Sequence, residues 1–371
     1  MARLIRPTAQ QQAIVDAVST GGNIKIKAYA GAGKTSTLLL VADRLSHRRG
    51  TYLAFNREIA EHARRGFPPN VASGTVHSRA YRSVSSALSA RVNLPAEPPQ
   101  ELAARYGLDP VEVPLVTGKI VEITPFEIGR MIVDGLGRFC RSADDTPNAL
   151  YVPADEKIDA KAADWLQDGL RPYVGRLWSE SIDPRGRSAI IPDVYLKVWA
   201  QTDPCIESDF ILFDEAQDSD GVMLWLLDRQ RHAQIVFVGD PYQQIYEWRG
   251  AVNAMAQTNA PEYALTESFR VGPAIASLAS RLLALMGEQT PVRGQEAIGS
   301  IEVEDPVCFT TRRCHPMSQE CVSDLASCRR GRGRPQTVDP HEFSGNRRGC
   351  GRCRCTARGT SEVDPVRRID L

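Results

Sequence analysis

Apolar positions in the first 45 residues follow a helical period, then a strand period, then a helical period again. A helix is predicted over residues 9 to 19, where Thr8 and Gln11 have the spacing of a capping box. Alternating apolar and polar residues from 24 to 28 predict a strand, and apolar residues at helical spacing from 38 to 45 predict a second helix. The chain therefore begins with a helix followed by a strand, loop and helix unit.

Three further short apolar runs end in polar or glycine residues, at 52–55, 210–213 and 235–238. Continuous runs of this kind are typical of parallel strands that are buried on both faces. Between residues 85 and 204 the pattern becomes mostly helical, with a capped helix start at Thr124. These patterns predict an α/β fold whose parallel sheet is interrupted by a helical insertion.

Composition places the chain among ordinary globular proteins. Of its 371 residues, 42% are hydrophobic and 24% are charged, which excludes a small disulfide-stapled scaffold. No apolar run approaches the roughly 18 residues of a membrane span, and the N-terminus has no signal-peptide pattern. We expect a soluble, cytoplasmic protein with no membrane partner.

The charge is balanced over the whole chain but not along it. Lys plus Arg and Asp plus Glu number 45 each, yet residues 308–371 carry 13 arginines and 7 acids, so residues 1–307 are net acidic. The same terminal segment holds seven of the nine cysteines. A nucleic-acid partner would therefore be held by local contacts rather than by a long-range field.

The loop at residues 28–35 has the composition of a phosphate-binding loop and lies between a predicted strand and a predicted helix. Gly31 and Gly33 allow backbone N–H groups to turn toward a phosphate at the helix N-terminus. Lys34 would reach the β and γ phosphates of ATP, and the Thr35 hydroxyl would bind Mg²⁺. The loop has alanine in place of the first glycine of the pattern, and the alternative is a small-residue turn with an incidental lysine.

Two carboxylates follow the second buried strand. Asp214 and Glu215 come directly after the apolar run 210–213, at the strand end where open parallel sheets bind ligands. One acid can hold Mg²⁺ while the other orients or deprotonates an attacking water, as ATP hydrolysis requires. The alternative is a solvated acidic turn.

The third strand is followed by the long run from Gly239 to Ala251, which reads GDPYQQIYEWRGA. With this run the chain resembles superfamily 1 DNA helicases of the UvrD/Rep type, and within them the F-box helicase branch. The resemblance covers about residues 7 to 285, and its motifs come in the family order. It implies that the parallel sheet is RecA-like, the first of two such domains, and that the alanine at position 28 belongs to the family's own loop variant.

Carried over residue by residue, the resemblance implies an ATP and Mg²⁺ site. Glu215 would activate water, Gln243 would sense the γ phosphate, and Arg270 would face it beside Lys34. Phe269 would stack on adenine and Gln11 would read it. The residues implied around the phosphates are Ala30, Gly31, Ala32, Gly33, Lys34, Thr35 and Ser36, and those implied at Mg²⁺ are Thr35 and Asp214.

The resemblance also implies contacts with single-stranded DNA. These residues are Phe55, Asn56, Thr75, His77, Tyr246 and Trp248, with Trp248 stacking on a base. Aromatic stacking is tolerant of sequence, which suits a motor that passes every base. Plainer alternatives stay open: Gln11 could only cap a helix, Trp248 and Phe269 could be core residues, and His77 could be a hydrogen-bonding strut for a loop.

The predicted domain organisation is a RecA-like domain over 1–84 and 205–272, a helical inserted subdomain over 85–204 and the start of a second RecA-like domain over 273–307. That second domain is expected to be incomplete, because the family pattern stops after Val307. The Arg- and Cys-rich segment 308–371 is interpreted as an irregular, non-homologous or frameshifted ending. A basic arm that contacts nucleic acid and a zinc site at Cys350, Cys353, Cys355 and His341 are the alternatives.

The function implied is an ATP-dependent DNA helicase or translocase acting on single-stranded DNA with 3′ to 5′ polarity, in DNA repair or recombination. The alternative is a helicase remnant that binds ATP and DNA without productive unwinding, because a further arginine and a moving partner domain are not found in the sequence. A different P-loop NTPase, such as a kinase, is disfavoured by the run after the third strand.

Overall fold

The computed structural model describes residues 6–245 and 253–299. The α/β prediction is confirmed, since a six-stranded sheet forms the centre of this part of the chain. Tyr246 and Trp248 lie outside the described residues. So does the segment 308–371.

In chain order the strands of the described residues are β1 Ile24–Ala28, β2 Gly50–Ala54, β3 Val71–Thr75, β4 Val111–Pro114, β5 Ile120–Ile123, β6 Phe210–Phe213, β7 Gln234–Gly239 and β8 Glu262–Leu265. Six of them form a parallel sheet in the order β3, β2, β6, β7, β1, β8. The other two, β4 and β5, pair antiparallel as a separate hairpin.

The helices cover the sheet and build the insertion between α4 and β6. They are α1 Ala9–Val18, α2 Lys34–Arg44, α3 Arg57–Gly66, α4 Val76–Ser83, α5 Ser86–Ala90, α6 Pro99–Tyr106, α7 Pro125–Arg141, α8 Ala160–Ile182, α9 Pro192–Gln201, α10 Gly221–Asp228, α11 Ala254–Gln257 and α12 Pro273–Leu285.

Most predicted elements agree with these bounds. The capping boxes of α1 at Thr8 and of α7 at Thr124 are both formed. The strand predicted at 52–55 is shifted, because β2 runs from Gly50 to Ala54 and Phe55 belongs to the following loop. The insertion is mostly helical, but it also contains the β4–β5 hairpin, which its pattern did not predict.

The two faces of the sheet pack into separate cores. Along β6, Phe210 and Leu212 point into one core with α1 and α2, while Ile211 and Phe213 point into the other with α7 and α10. All four side chains are buried, and each contributes about 1.5–3 kcal/mol to folding. Because both faces are covered, the functional groups at the carboxyl ends of the strands are fixed to a rigid platform.

Among residues 6–245 and 253–299, no helix is both long enough and apolar enough to cross a membrane.

Candidate nucleotide site and adjoining cavity

The predicted phosphate loop joins the carboxyl end of β1 to the first turn of α2. Gly31 and Gly33 have φ angles of +74° and +82°, which residues with a side chain rarely adopt. Gly33 is the N-cap of α2, and no side chain forms a capping hydrogen bond there. The N–H groups of the first helical turn therefore remain available to an anion. Thr35 is exposed in that turn, and Ser36 is partly exposed beside it.

The segment after β8 packs directly against this loop. The Ser268 hydroxyl donates to the carbonyl of Ala30 at 2.8 Å, and the Phe269 N–H donates to the carbonyl of Gly31 at 2.9 Å. Arg270 is exposed next to Gly31. The Phe269 ring is 47% exposed, so it is not the core residue that the plainer alternative proposed.

Lys34 and Glu215 form an ion pair across the end of the sheet. Lys34 Nζ lies 2.7 Å from Glu215 Oε2, although the two residues are 181 positions apart in the chain. Glu215 has φ +53°, a left-handed conformation that costs a residue with a side chain about 1–2 kcal/mol. This strained backbone holds the carboxylate beside the phosphate loop, as is common at functional sites.

Asp214 is a buried carboxylate at the end of β6. Its Oδ2 accepts a hydrogen bond from the Tyr52 hydroxyl at 2.6 Å, and its Oδ1 accepts one from the Glu215 N–H at 3.0 Å. Burial and the neighbouring Glu215 charge raise the pKa of Asp214, against the lowering effect of the Tyr52 hydrogen bond. A cation at this carboxylate would relieve that unfavourable charge.

A chain of hydrogen bonds continues from Glu215 to the end of β7. The Gln217 amide donates to Glu215 Oε2 at 2.8 Å and accepts from the Asp240 N–H at 3.0 Å. The Asp240 carboxylate in turn accepts from the Gln243 side-chain amide. Burial raises the pKa of Asp240. The predicted γ-phosphate sensor is thus connected to the predicted water-activating acid and, through it, to Lys34.

Gln11 is buried against the phosphate loop. Its side-chain oxygen accepts from the Thr8 N–H at 3.0 Å, and its amide nitrogen donates to the Thr37 hydroxyl at 3.1 Å. Gln11 therefore takes part in the capping box of α1, the role that its alternative interpretation gave it. The same amide nitrogen lies close to Gly33, next to the Phe269 ring, so the two predicted adenine contacts are neighbours in space.

Two of the predicted DNA contacts are helix caps. The Asn56 side chain accepts from the Ile59 N–H at 2.9 Å at the start of α3. Thr75 forms a complete capping box with Ser78 at the start of α4. Thr75 is the last residue of β3 and Asn56 follows β2 by two residues, so the two caps fix where α3 and α4 begin after these strands.

His77 contacts the helical insertion. Its Nε2 lies 3.4 Å from Asp193 Oδ1, and its ring packs edge-on against Tyr195. Asp193 Oδ2 also accepts from Arg141 at 2.6 Å. Burial would raise the pKa of Asp193, but His77 and Arg141 lower it overall. These contacts are those expected of the hydrogen-bonding strut that was the alternative for His77, and its contact with DNA stays a prediction.

A cavity of about 730 Å³ extends from Thr75 and His77 to the acids Asp214 and Glu215 at the end of β6. Residues from β2, α4, α7, α9 and β6 line it. The predicted site residues on its wall are Phe55, Thr75, His77, Asp214 and Glu215. The Phe55 ring is 41% exposed, so an aromatic face is accessible in the same space as the water-activating acid.

Comparison with known proteins identifies the family. The model of the UvrD/REP helicase N-terminal domain matches residues 205–264, which contain β6, β7 and all but the last residue of β8. F-box DNA helicase protein 1 of Schizosaccharomyces pombe is 34% identical over 304 residues, covering 77% of this chain. F-box DNA helicase 1 of Gallus gallus is 30% identical over 297 residues, covering 75% of this chain. The chain belongs to the UvrD/REP helicase family.

The two F-box DNA helicases are much longer than this member of the family. The aligned parts are 34% and 28% of their lengths, so the chain spans about a third of the relatives it matches. The resemblance seen in the sequence is confirmed at the level of the UvrD/REP family, and the activities of the longer helicases belong to those proteins.

UvrD/REP family membership implies ATP use with Mg²⁺, and the residues present fit that cation. Mg²⁺ prefers hard oxygen ligands and is bound by one or two carboxylates together with substrate phosphates and water. Thr35 offers an exposed hydroxyl and Asp214 a buried carboxylate of raised pKa. Within the described part of the chain, no group of three or more His, Cys, Asp and Glu side chains could hold a metal ion by itself.

The structure also shows residues of the site to which the sequence assigned no role. Tyr52 and Gln217 contact the two acids, and Ser268 fixes the phosphate loop. Gln217 and Ser268 lie inside the helicase motifs, and this position in the sequence could have indicated that they belong to the site. Tyr52 had no signal, because a tyrosine in an apolar run is as well explained by the core.

Proposed function

We propose that this chain is the ATP-binding part of a DNA motor of the UvrD/REP type, which hydrolyses ATP to move along single-stranded DNA. The observation that supports it is the 2.7 Å contact between Lys34 and Glu215. It joins the phosphate loop to a carboxylate that can activate water, in a chain whose family consists of helicases.

In the proposed reaction, Lys34 leaves Glu215 and binds the β and γ phosphates of ATP. Glu215 then orients the attacking water and takes its proton. Gln243 and Arg270 donate hydrogen bonds to the γ phosphate, where negative charge is redistributed as the bond to the leaving group breaks. Phe269 stacks on adenine while Gln11 reads its edge.

Mg²⁺ held by Thr35 and Asp214 would neutralise charge on the phosphates. Ala30, Gly31, Ala32, Gly33 and Ser36 complete the phosphate cradle in this proposal, through backbone N–H groups and one hydroxyl.

Single-stranded DNA is proposed to pass over the carboxyl ends of the sheet. Phe55 offers an exposed ring on the cavity wall, and Tyr246 and Trp248 supply further aromatic groups in the motif. Stacking contributes about 1–3 kcal/mol per base without selecting a sequence. Asn56, Thr75 and His77 would contact the backbone or hold the loops that do so.

The test is the rate of ATP hydrolysis with and without single-stranded DNA. We expect DNA to stimulate hydrolysis, and Lys34→Ala to reduce the stimulated rate by at least about 100-fold, because it removes charge stabilisation at the transferred phosphate. Lys161→Ala is the matched control, since Lys161 is exposed on α8. Equal rates for Lys34→Ala and the unchanged protein would refute the proposal.

A second candidate is a family member that binds ATP and DNA but turns ATP over poorly. Glu215 Oε2 also accepts from the Gln217 amide at 2.8 Å, and a protein in which this contact persisted beside bound ATP would not have its carboxylate free to activate water. Mg²⁺-dependent binding of a fluorescent ATP analogue without DNA-stimulated hydrolysis would support this candidate over the motor.

Polarity, pathway and location are finer parts of the same proposal. We propose 3′ to 5′ movement and a role in DNA repair or recombination, both following the resemblance, and a cytoplasmic location, which follows from the sequence pattern. Displacement of a labelled strand from duplexes with 3′ or 5′ single-stranded tails tests the polarity, and unwinding of only the 5′-tailed duplex would contradict it.

A further inference from the structure

A buried carboxylate outside the nucleotide site contacts strand β1 and the turn after β7, both of which lead into that site. Glu288 follows α12, is 8% exposed, and accepts three hydrogen bonds. Its Oε2 lies 2.8 Å from Lys27 Nζ and 2.9 Å from the Tyr242 hydroxyl, and its Oε1 accepts from the Thr290 N–H at 2.8 Å. The three partners come from β1, from the turn after β7 and from the segment after α12.

The charge of this cluster is well defined. Burial alone would raise the pKa of Glu288, but the hydrogen bonds from Lys27, Thr290 and Tyr242 lower it to about 2. Burial and the Glu288 carboxylate raise the pKa of Tyr242 to about 12. The carboxylate therefore stays ionised and the phenol stays protonated over the physiological range, so Tyr242 donates a charge-assisted hydrogen bond.

The position of Tyr242 makes this contact relevant to the nucleotide. Tyr242 stands between Asp240 and Gln243 in the short 3₁₀ turn Pro241–Gln243. The Asp240 carboxylate accepts hydrogen bonds from the Tyr242 N–H at 3.1 Å and from the Gln243 side chain. Gln243 itself is exposed. The position of its turn therefore depends on the hydrogen bonds of Asp240 and on the hydrogen bond between Tyr242 and Glu288.

The segment from 288 to 295 also contacts the arginine side of the site. Arg293 exchanges backbone hydrogen bonds with the residues on either side of Glu267: its N–H donates to Thr266 at 2.8 Å, and its carbonyl accepts from Ser268 at 2.7 Å. One segment after α12 therefore contacts both the turn of Gln243 and the strand that leads to Arg270.

We propose that Tyr242 and Glu288 are positioning residues for Gln243. The Tyr242–Glu288 hydrogen bond holds the turn so that the Gln243 amide faces the γ phosphate, and it ties that turn to the segment after α12. This inference rests on the proposed function, since it concerns how the same nucleotide site distinguishes ATP from ADP.

The test compares two nucleotides that differ at the γ phosphate. Dissociation constants for ADP and for the non-hydrolysable analogue AMP-PNP are measured with Mg²⁺ on the full chain, and their ratio gives the preference for the γ phosphate. In Tyr242→Phe and Glu288→Gln we expect this preference to fall about ten-fold, the size of one hydrogen bond to a charged group. ADP affinity is expected to stay within about two-fold of the unchanged protein.

Two further variants calibrate the result. Gln243→Ala gives the preference that remains when the sensor itself is absent. Ser280→Ala is the matched control, because the Ser280 hydroxyl accepts from the Val292 N–H at 2.9 Å on the same segment without contacting Tyr242. We expect Ser280→Ala to leave the nucleotide preference unchanged.

The outcomes separate the inference from the proposed function. An unchanged preference in Tyr242→Phe overturns the positioning role, even where the thermal unfolding temperature falls, because a purely structural contact would not alter the ratio. Tyr242→Phe decides the matter if Glu288→Gln fails to fold, since it leaves the Lys27–Glu288 pair intact. Failure of the unchanged protein to bind either nucleotide overturns the proposed function, and this inference with it.

Discussion

Gly31 carries two constraints at once, one from its own backbone and one from its neighbours. Its φ is +74°, and a methyl group on its Cα would lie 2.6 Å from Arg270 Cβ and 2.9 Å from Ser268 Oγ. Gly21 shares the first constraint, with φ +83°, but has nothing within 4 Å of a methyl group. The two glycines therefore separate backbone strain from crowding at the site.

We expect Gly31→Ala and Gly21→Ala each to lower the free energy of unfolding by about 1–2 kcal/mol, the cost of a left-handed residue with a side chain. Gly31→Ala should in addition displace Arg270 and weaken ATP binding by at least about ten-fold. Urea unfolding and nucleotide titration measure the two effects. Equal ATP affinity in both variants would contradict the crowding argument.

Asp214 gives a second prediction at this scale. Because burial raises its pKa, the folded state binds a proton more readily than the unfolded state, and the ionised carboxylate lowers stability at neutral pH. Asp214→Asn should therefore raise the free energy of unfolding without nucleotide at pH 7, while weakening Mg²⁺-dependent ATP binding. The stability gain should shrink as the pH falls toward 4. A gain independent of pH would point to another cause.

Residue identities were predictable from the sequence where a motif supplied them, but the pairings between residues were not. Lys34 and Glu215 were each expected at the nucleotide, yet their ion pair depends on how β1 and β6 are placed in the sheet. The role of Tyr52 depends in the same way on β2 lying beside β6. Local patterns carry no information on these distances.

At the scale of elements, caps determine where the helices that follow the strands begin. Thr75 forms a capping box at the start of α4, beside the cavity, and Thr124 forms one at the start of α7. The two caps are chemically alike. Only Thr75 lies on the cavity wall, so the pair separates helix capping from a DNA contact.

Thr75→Ala and Thr124→Ala should each lower the free energy of unfolding by about 1 kcal/mol through loss of the cap. Thr75→Ala alone should also weaken binding of a fluorescent single-stranded oligonucleotide, by about three-fold or more. Fluorescence anisotropy gives the affinity. The same loss of DNA affinity in Thr124→Ala would mean that the effect comes from stability and not from contact.

Strands were predictable where they are buried on both faces, as at 210–213 and 235–238. The edge strands β3 and β8 were not, because Val71–Thr75 and Glu262–Leu265 are only partly buried and have neither a continuous apolar run nor a regular alternation. The β4–β5 hairpin was missed for the same reason. Short half-exposed strands acquire their structure from the neighbour they pair with.

At the scale of the whole described chain, one carboxylate connects the insertion to the sheet. Asp193, in the first turn of α9, contacts Arg141 at the end of α7 and His77 in α4. Its side chain is 13% exposed. The insertion and the loops at the end of the sheet are therefore joined on the wall of the cavity.

Asp193→Ala should lower the free energy of unfolding by about 3 kcal/mol, as removal of one partner from a buried ion pair does. Glu61→Ala, which removes an exposed pair with Arg57, should cost much less, because solvent screens the pair. The pKa of Asp193 is lowered on folding, so its contribution is present above about pH 4 and is lost as the pH falls further. Equal losses in the two variants at pH 7 would contradict this role.

Because Lys34 is paired with Glu215, an incoming phosphate must compete with the Glu215 carboxylate for the Lys34 ammonium group. A small free anion gains little by displacing the carboxylate, because it makes few other contacts with the protein, so sulfate or free phosphate should be poor ligands. A triphosphate brings several charges and the rest of the nucleotide, and can displace the carboxylate. The ion pair would thus prevent weakly binding anions from occupying the site. A ligand that does displace Glu215 from Lys34 also frees this carboxylate to act as a base.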